Sequence, residues 1–252
     1  MTEPTHPLRQ SESPKLERFP ETRWSLVVAA ADAADEPAAK RALGELCAIY
    51  WYPVYSFFRG RGESPGDAED LTQEFFAAFI RRRSVETVAP ERGKLRAFLL
   101  ASAKNFLVSE KRKEQTQKRG GGAVPVSIDM NLAEGKFAGE PRDPAANPEE
   151  EFDRAWARTL IGRVRDQMGE SYVAAGKAEL AAALLPYLDA GDEPPYRDLA
   201  RQTGQSAGAL RVAVFRMRHK YRTLLKQEIA DTLADSADLD GEISYLVGLF
   251  GR

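Results

Sequence analysis

In almost every stretch of this chain that can hold a core, apolar residues recur at spacings of three and four, and no stretch alternates in the manner of a strand. Leu43, Cys47, Tyr50, Trp51, Val54, Phe57 and Phe58 form one such series. Leu71, Phe75 and Ala78 form a second, and Leu95, Leu99, Ser102 and Phe106 a third. Residues three and four apart share one side of a helix, so each series is an apolar face that must be buried against another helix. The expected fold class is all-α. Pro53 interrupts the first series and is expected to kink or restart that helix, because it has no N–H to donate and its ring meets the preceding turn.

Two stretches lack this pattern. Residues 1–20 are rich in Pro, Ser and Glu and read as a disordered N-terminus. Residues 120–147 begin with three glycines and continue with Pro, Gly, Asp, Asn and Glu, which reads as a flexible linker. A coil of this length averages about 30 Å from end to end. Helical order resumes at Asn147-Pro148-Glu149-Glu150, which combines an N-cap, a proline at the first helical position and an acidic first turn. The helix that follows carries Phe152, Trp156, Leu160, Val164 and Met168, with Gly169 as its expected end. The expectation is two helical domains, 21–119 and 148–230, joined by that linker, then a tail over 231–252.

The second domain contains the pattern of a helix-turn-helix between Tyr196 and Met217. Ala200 is small enough for two helices to cross closely, Gly204 permits the turn, Ser206 can cap the next helix, and Leu210 fills the angle between them. Gln205 stands where many such turns carry an apolar residue. Leu210, Val214, Met217, Tyr221 and Leu224 line one side of the second helix, while Arg211, Arg216, Arg218, His219, Lys220, Arg222 and Lys226 cover the rest. Such a helix can dock on its own domain and offer cations to phosphates, with sequence selection falling to its first turns. Ser206, Ala207, Gly208, Arg211, Val212 and Phe215 are the candidates for facing bases. A solvated basic face on an ordinary bundle helix is the alternative.

The first domain separates charge in another way. Asp67, Asp70 and Glu74 share one helix face beside Leu71, Phe75 and Ala78, which suits docking of a basic partner or simply a solvated helix start. Further on, Arg92, Lys94, Arg96, Lys104, Lys111 and Arg112 are interleaved with Phe98, Phe106 and the amide of Asn105. Cations that track a backbone and rings that stack on bases are what capture of a single strand requires, although both phenylalanines also suit a core.

The net charge of −2 therefore conceals a segregation of charge rather than arguing against nucleic acid. One cysteine and two histidines leave no zinc-binding spacing and no internal disulfide, so neither metal nor cofactor is expected. Cys47, on an apolar face, reads as a small buried hydrophobe. No nucleophile, base and orienting group come together, so the chain does not read as an enzyme. No apolar run is long enough to cross a bilayer, which makes the cytoplasm the expected location. The tail pairs acids at 231–242 with an apolar face through Ile243, Leu246, Val247 and Phe250. It either extends the core, the favoured reading, or folds over the basic helix.

Taken together, residues 22–233 resemble the extracytoplasmic-function type of sigma factor. The resemblance rests on Tyr50-Trp51-Tyr52-Pro53-Val54-Tyr55, on Asp67 through Phe76 and on Lys104-Asn105 for the family's region 2, and on 196–225 for region 4. It implies that Asp67, Asp70, Gln73 and Glu74 bind core RNA polymerase. It also implies that Arg92, Lys94, Arg96, Phe98, Lys104, Asn105, Lys111 and Arg112 meet the minus-ten promoter element. Ser206, Ala207, Gly208, Arg211, Val212, Phe215, Arg216, Arg218 and Arg222 would meet the minus-thirty-five element. Promoter DNA and core polymerase are the implied partners, with an anti-sigma factor or other inhibitor as a further candidate. Leu95-Arg96-Ala97-Phe98 departs from the Phe-Arg-x-Trp pattern of the family. A stand-alone helix-turn-helix regulator and a helical adaptor without DNA affinity are the competing readings.

Overall fold

The computed structural model describes residues 23–30, 36–81, 93–116, 130–139, 147–188, 195–234 and 238–250. The fold is all-α. In chain order the helices are α1 (Arg23–Ala30), α2 (Glu36–Gly60), α3 (Pro65–Arg81), α4 (Leu95–Thr116), α5 (Met130–Gly139), α6 (Pro148–Ala174), α7 (Ala178–Leu184), α8 (Tyr196–Thr203), α9 (Ala207–Ala230) and α10 (Leu239–Phe250). A short 3-10 turn, Leu185–Leu188, follows α7. The N-terminal stretch 1–20 and Arg92 lie outside the described residues.

The larger core forms around α2, whose Ile49, Tyr50, Val54, Tyr55, Phe57 and Phe58 are completely buried. Burial on both sides of Pro53 explains why α2 does not restart there. The helix loses one hydrogen bond and incurs a proline penalty of about 3 kcal/mol, which the burial of six large side chains at about 1.5–3 kcal/mol each outweighs. Phe75, Phe76 and Phe79 of α3 and Leu99 and Phe106 of α4 complete one side.

The expected boundary at 147/148 does not divide the core. Phe152, Trp156 and Leu160, in the first half of α6, lie in the same cluster as α2, together with Ile229 at the end of α9 and Leu246 and Leu249 of α10. The second half of α6 supplies Met168 to a smaller cluster with Leu184, Tyr187, Leu199, Leu210, Val214 and Met217. A 27-residue helix is about 40 Å long, enough to thread both clusters. Asn147 caps it, its side chain accepting from the Glu150 amide at 2.8 Å. Gly169 does not end it. The helix continues to Ala174 and closes where Gly176 takes φ 70°, with the Lys177 amide donating to the Tyr172 carbonyl and the Gly176 amide to that of Val173.

Nor is 120–147 a structureless linker where it is described. Residues 130–139 form α5, which buries Ala133 and Phe137 against the main core. Glu134 of α5 accepts from Arg59 Nε at 3.0 Å and Nη2 at 2.9 Å and from the Tyr55 hydroxyl, while Phe137 meets the Tyr55 ring edge-on and lies under the Arg59 guanidinium. The buried pair Ala133 and Phe137 gives only one repeat of the helical period, too little to stand out among the prolines and glycines around it.

Candidate nucleic-acid and polymerase interface

Three surfaces carry the residues singled out in the sequence. The first is the start of α3. Ser64 precedes it and accepts from the Asp67 amide at 3.2 Å, while its hydroxyl donates to Asp67 Oδ2 at 2.6 Å. A carboxylate in the first turn is stabilised by the positive end of the helix dipole. Asp67 and Asp70 are exposed, and Gln73 and Glu74 are half-buried. The Gln73 amide donates to Glu69 at 3.0 Å. Ala68, Thr72, Phe75 and Phe76 face inward, so the core fixes which side of α3 presents the acids.

The second surface is α4, where the structure departs from expectation. Arg96 is only 6% exposed. Its Nη1 donates to Asp153 of α6 at 2.5 Å, and its Nε and Nη2 donate to the two oxygens of Glu242 of α10 at 2.5 and 3.1 Å. Lys94 reaches Glu242 at 2.8 Å and Asp238 at 2.9 Å. In this conformation Arg96 is withdrawn from the surface, while the Lys94 side chain stays 30% exposed between its two carboxylate partners. The cause is long-range: the three acids that enclose them come from α6, α10 and the residue preceding α10, which no local pattern reveals. Lys104 pairs with Glu149 at 2.5 Å and Lys111 with Glu63 at 2.6 Å, both partly exposed. Asn105 and Arg112 lie on the exposed side. Phe106, 7% exposed, is core between Phe58 and Phe75 and has no free ring face for stacking. Phe98 is half-buried against Phe79.

Burial by itself would raise the Glu242 carboxyl above its ordinary range. The hydrogen bonds and charges of Arg96 and Lys94 overcome that and hold it below. For Asp153 burial prevails over Arg96, so its carboxyl sits above the usual carboxylate value. Tyr245, which donates to Asp153 at 2.6 Å, is pushed up to about 12 by burial and by that carboxylate.

The third surface is α9. Gly204 ends α8 in the left-handed conformation at φ 68°, its amide donating to the Ala200 carbonyl at 3.0 Å. Ser206 then caps α9, accepting from the Ala209 amide at 3.2 Å. Leu210, Val214 and Met217 enter the smaller core with Leu199. The opposite side carries exposed Arg211, Arg216, His219, Lys220, Arg222 and Lys226, with Ser206 and Gly208 also exposed and Ala207 half-buried. Arg218 is half-buried, and its Nε donates to the Tyr187 carbonyl at 2.9 Å. Val212 and Phe215 stand out of this surface; the phenylalanine is 69% exposed.

Residues 52–117 match the family model of sigma-70 region 2. That match supports a sigma-70 family member. It spans the last third of α2, all of α3 and all of α4, so the acidic start of α3 and the cations of α4 both fall within the region 2 match. It does not distinguish the extracytoplasmic-function type from other members. No curated protein and no solved structure matches the chain. Among the described residues no group of His, Cys, Asp and Glu is placed to hold a metal ion, and no helix is long and apolar enough to cross a membrane.

Proposed function

We propose that the protein is a sigma factor of the extracytoplasmic-function type, which binds core RNA polymerase and directs it to promoters without catalysing a reaction itself. The observation that carries this reading is the region 2 match over 52–117, together with an exposed acidic start of α3 that lies inside it. In this reading Asp67, Asp70, Gln73 and Glu74 dock on the polymerase. Arg92, Phe98, Lys104, Asn105, Lys111 and Arg112 form the surface for the opened minus-ten strand, and Lys94 and Arg96 join it once their carboxylate partners withdraw. The α8–α9 pair serves as a helix-turn-helix, with Ser206, Ala207, Gly208, Arg211, Val212 and Phe215 toward bases and Arg216, Arg218 and Arg222 toward phosphates.

Two features support the α9 assignment. Its basic side is exposed while its apolar side is locked into the smaller core, and exposed Val212 and Phe215 flank the cations near the start of the helix. An exposed phenylalanine one turn from an exposed valine suits contact with a thymine methyl or another apolar surface.

The test is a pull-down on core polymerase. Reversal of charge in Asp70→Lys with Glu74→Lys is expected to weaken retention by at least about tenfold, the scale of two or more close charge pairs. Undiminished retention contradicts the docking role.

A further inference from the structure

The C-terminal segment does more than extend the core. After α9 the chain turns back and pairs with the residues that precede α4. The Leu95 amide donates to the Thr232 carbonyl at 3.0 Å and the Ala234 amide to the Gly93 carbonyl at 3.2 Å, forming an isolated antiparallel bridge between Lys94 and Leu233. Gly93 holds φ 103°, a conformation that a residue with a Cβ rarely adopts. Asp238 and α10 follow, and Glu242, with no exposed surface, lies against Lys94 and Arg96.

From this arrangement we infer that α10 is an intramolecular clasp, whose Glu242 occupies the place of a nucleic-acid phosphate and keeps Lys94 and Arg96 from DNA until α10 is released. The inference rests on the assignment of the start of α4 to strand binding. Two cations here face three carboxylates, Asp153, Asp238 and Glu242. Release of α10 removes two of those carboxylates and leaves two cations facing Asp153, a local balance that attracts a polyanion.

A purely structural role accounts poorly for the choice of side chains. Apolar residues of similar volume usually stabilise a buried site as well as an ion network does, so charges kept there point to a specific or switchable contact. The hold combines this network with the donation of Arg154 Nε to the Leu249 carbonyl at 3.0 Å and with a short apolar face. Leu246 and Leu249 are buried and Leu239 and Ile243 half-buried, while Val247 is exposed and Phe250 is partly exposed beside the Arg158 guanidinium. A helix of 12 residues is marginal when detached, so α10 would unfold on release instead of persisting as a competitor.

The experiment compares the full chain with Glu242→Gln and with a chain truncated after residue 237. The probe is a fluorescein-labelled single strand of about twenty nucleotides, read by anisotropy across a salt series, with helicity checked by circular dichroism. Glu242→Gln retains an acceptor for Arg96 but removes the charge. The expected result is affinity about tenfold higher than wild type, with a salt slope steeper by about 1.4, or 0.7 for each cation returned to phosphate. Adding Arg96→Ala to Glu242→Gln should abolish the gain. Unchanged affinity in either variant while folded overturns the clasp, and so does unfolding of both, which would make α10 a fixed part of the core. Core-polymerase pull-down on the same proteins separates the two readings. If wild type and variant are both retained but bind the strand equally, only the clasp fails. If neither is retained while the variant gains affinity, the sigma reading fails and the clasp stands.

Discussion

Glu242 of α10 meets Arg96 of α4 across 146 residues of sequence, with Nε to Oε1 at 2.5 Å and Nη2 to Oε2 at 3.1 Å. Both side chains are almost wholly enclosed. Removal of the cation alone would leave Glu242 and Asp153 buried without their principal partner. Arg96→Ala is therefore expected to lower stability by about 3–5 kcal/mol, measured by urea denaturation at neutral pH. A loss below about 1 kcal/mol would show that the network contributes nothing to holding α10.

The same pair fixes a pH dependence. The Glu242 carboxyl is held below its ordinary value of 4.5, so its contribution is fully present above that pH and is lost as the pH falls through the lower folded value. Asp153 is displaced the opposite way, upward from 3.8, and opposes that loss. Arg96, Lys94, Asp238 and Tyr245 complete the surroundings. Wild type should lose more stability than Glu242→Gln on acidification below about pH 4.5, as read from denaturation midpoints. Parallel curves would contradict the stated direction for Glu242.

Cys47 is buried in α2, and burial pushes its thiol up to about 12. A thiol so placed supplies little thiolate and is closed to reagents. An aromatic disulfide reagent near pH 8 should leave the native protein unmodified and titrate one thiol in denaturant. Rapid modification of the native chain would show that α2 is not packed as described.

Much of this arrangement is legible in the sequence. The spacing of Leu43 through Phe58 marks α2, Asn147-Pro148 the start of α6, and Gly204 with Ser206 the turn between α8 and α9, because each is a local rule of periodicity or capping. What is not legible depends on distant partners. Nothing near Arg96 distinguishes it from a DNA-facing arginine, since Asp153 and Glu242 arrive from far along the chain. Likewise α5 gains its reason to fold from Tyr55 and Arg59, not from its own composition.

That last contact is itself testable. Phe137→Ala removes a buried ring from the α5–α2 contact and is expected to cost about 3–5 kcal/mol and to expose 130–139 to limited proteolysis. Cleavage of the native protein in α5 at the same rate as the variant would contradict the docked position.

On α9, the two sides of the helix should separate stability from binding. Leu210→Ala opens the smaller core and should cost about 2–5 kcal/mol, whereas Phe215→Ala, at an exposed position, should change stability by less than about 0.5 kcal/mol and weaken duplex binding. Thermal melts and anisotropy on a duplex probe distinguish them. Unaltered duplex affinity for Phe215→Ala would remove that residue from the interface.

The central claim is promoter-directed initiation, and run-off transcription tests it most directly. Core polymerase is incubated with genomic fragments with and without this protein. The account predicts discrete transcripts that appear only when the protein is present and disappear with Asp70→Lys and Glu74→Lys. An identical set of transcripts in its absence, or none in its presence on any fragment, would contradict it.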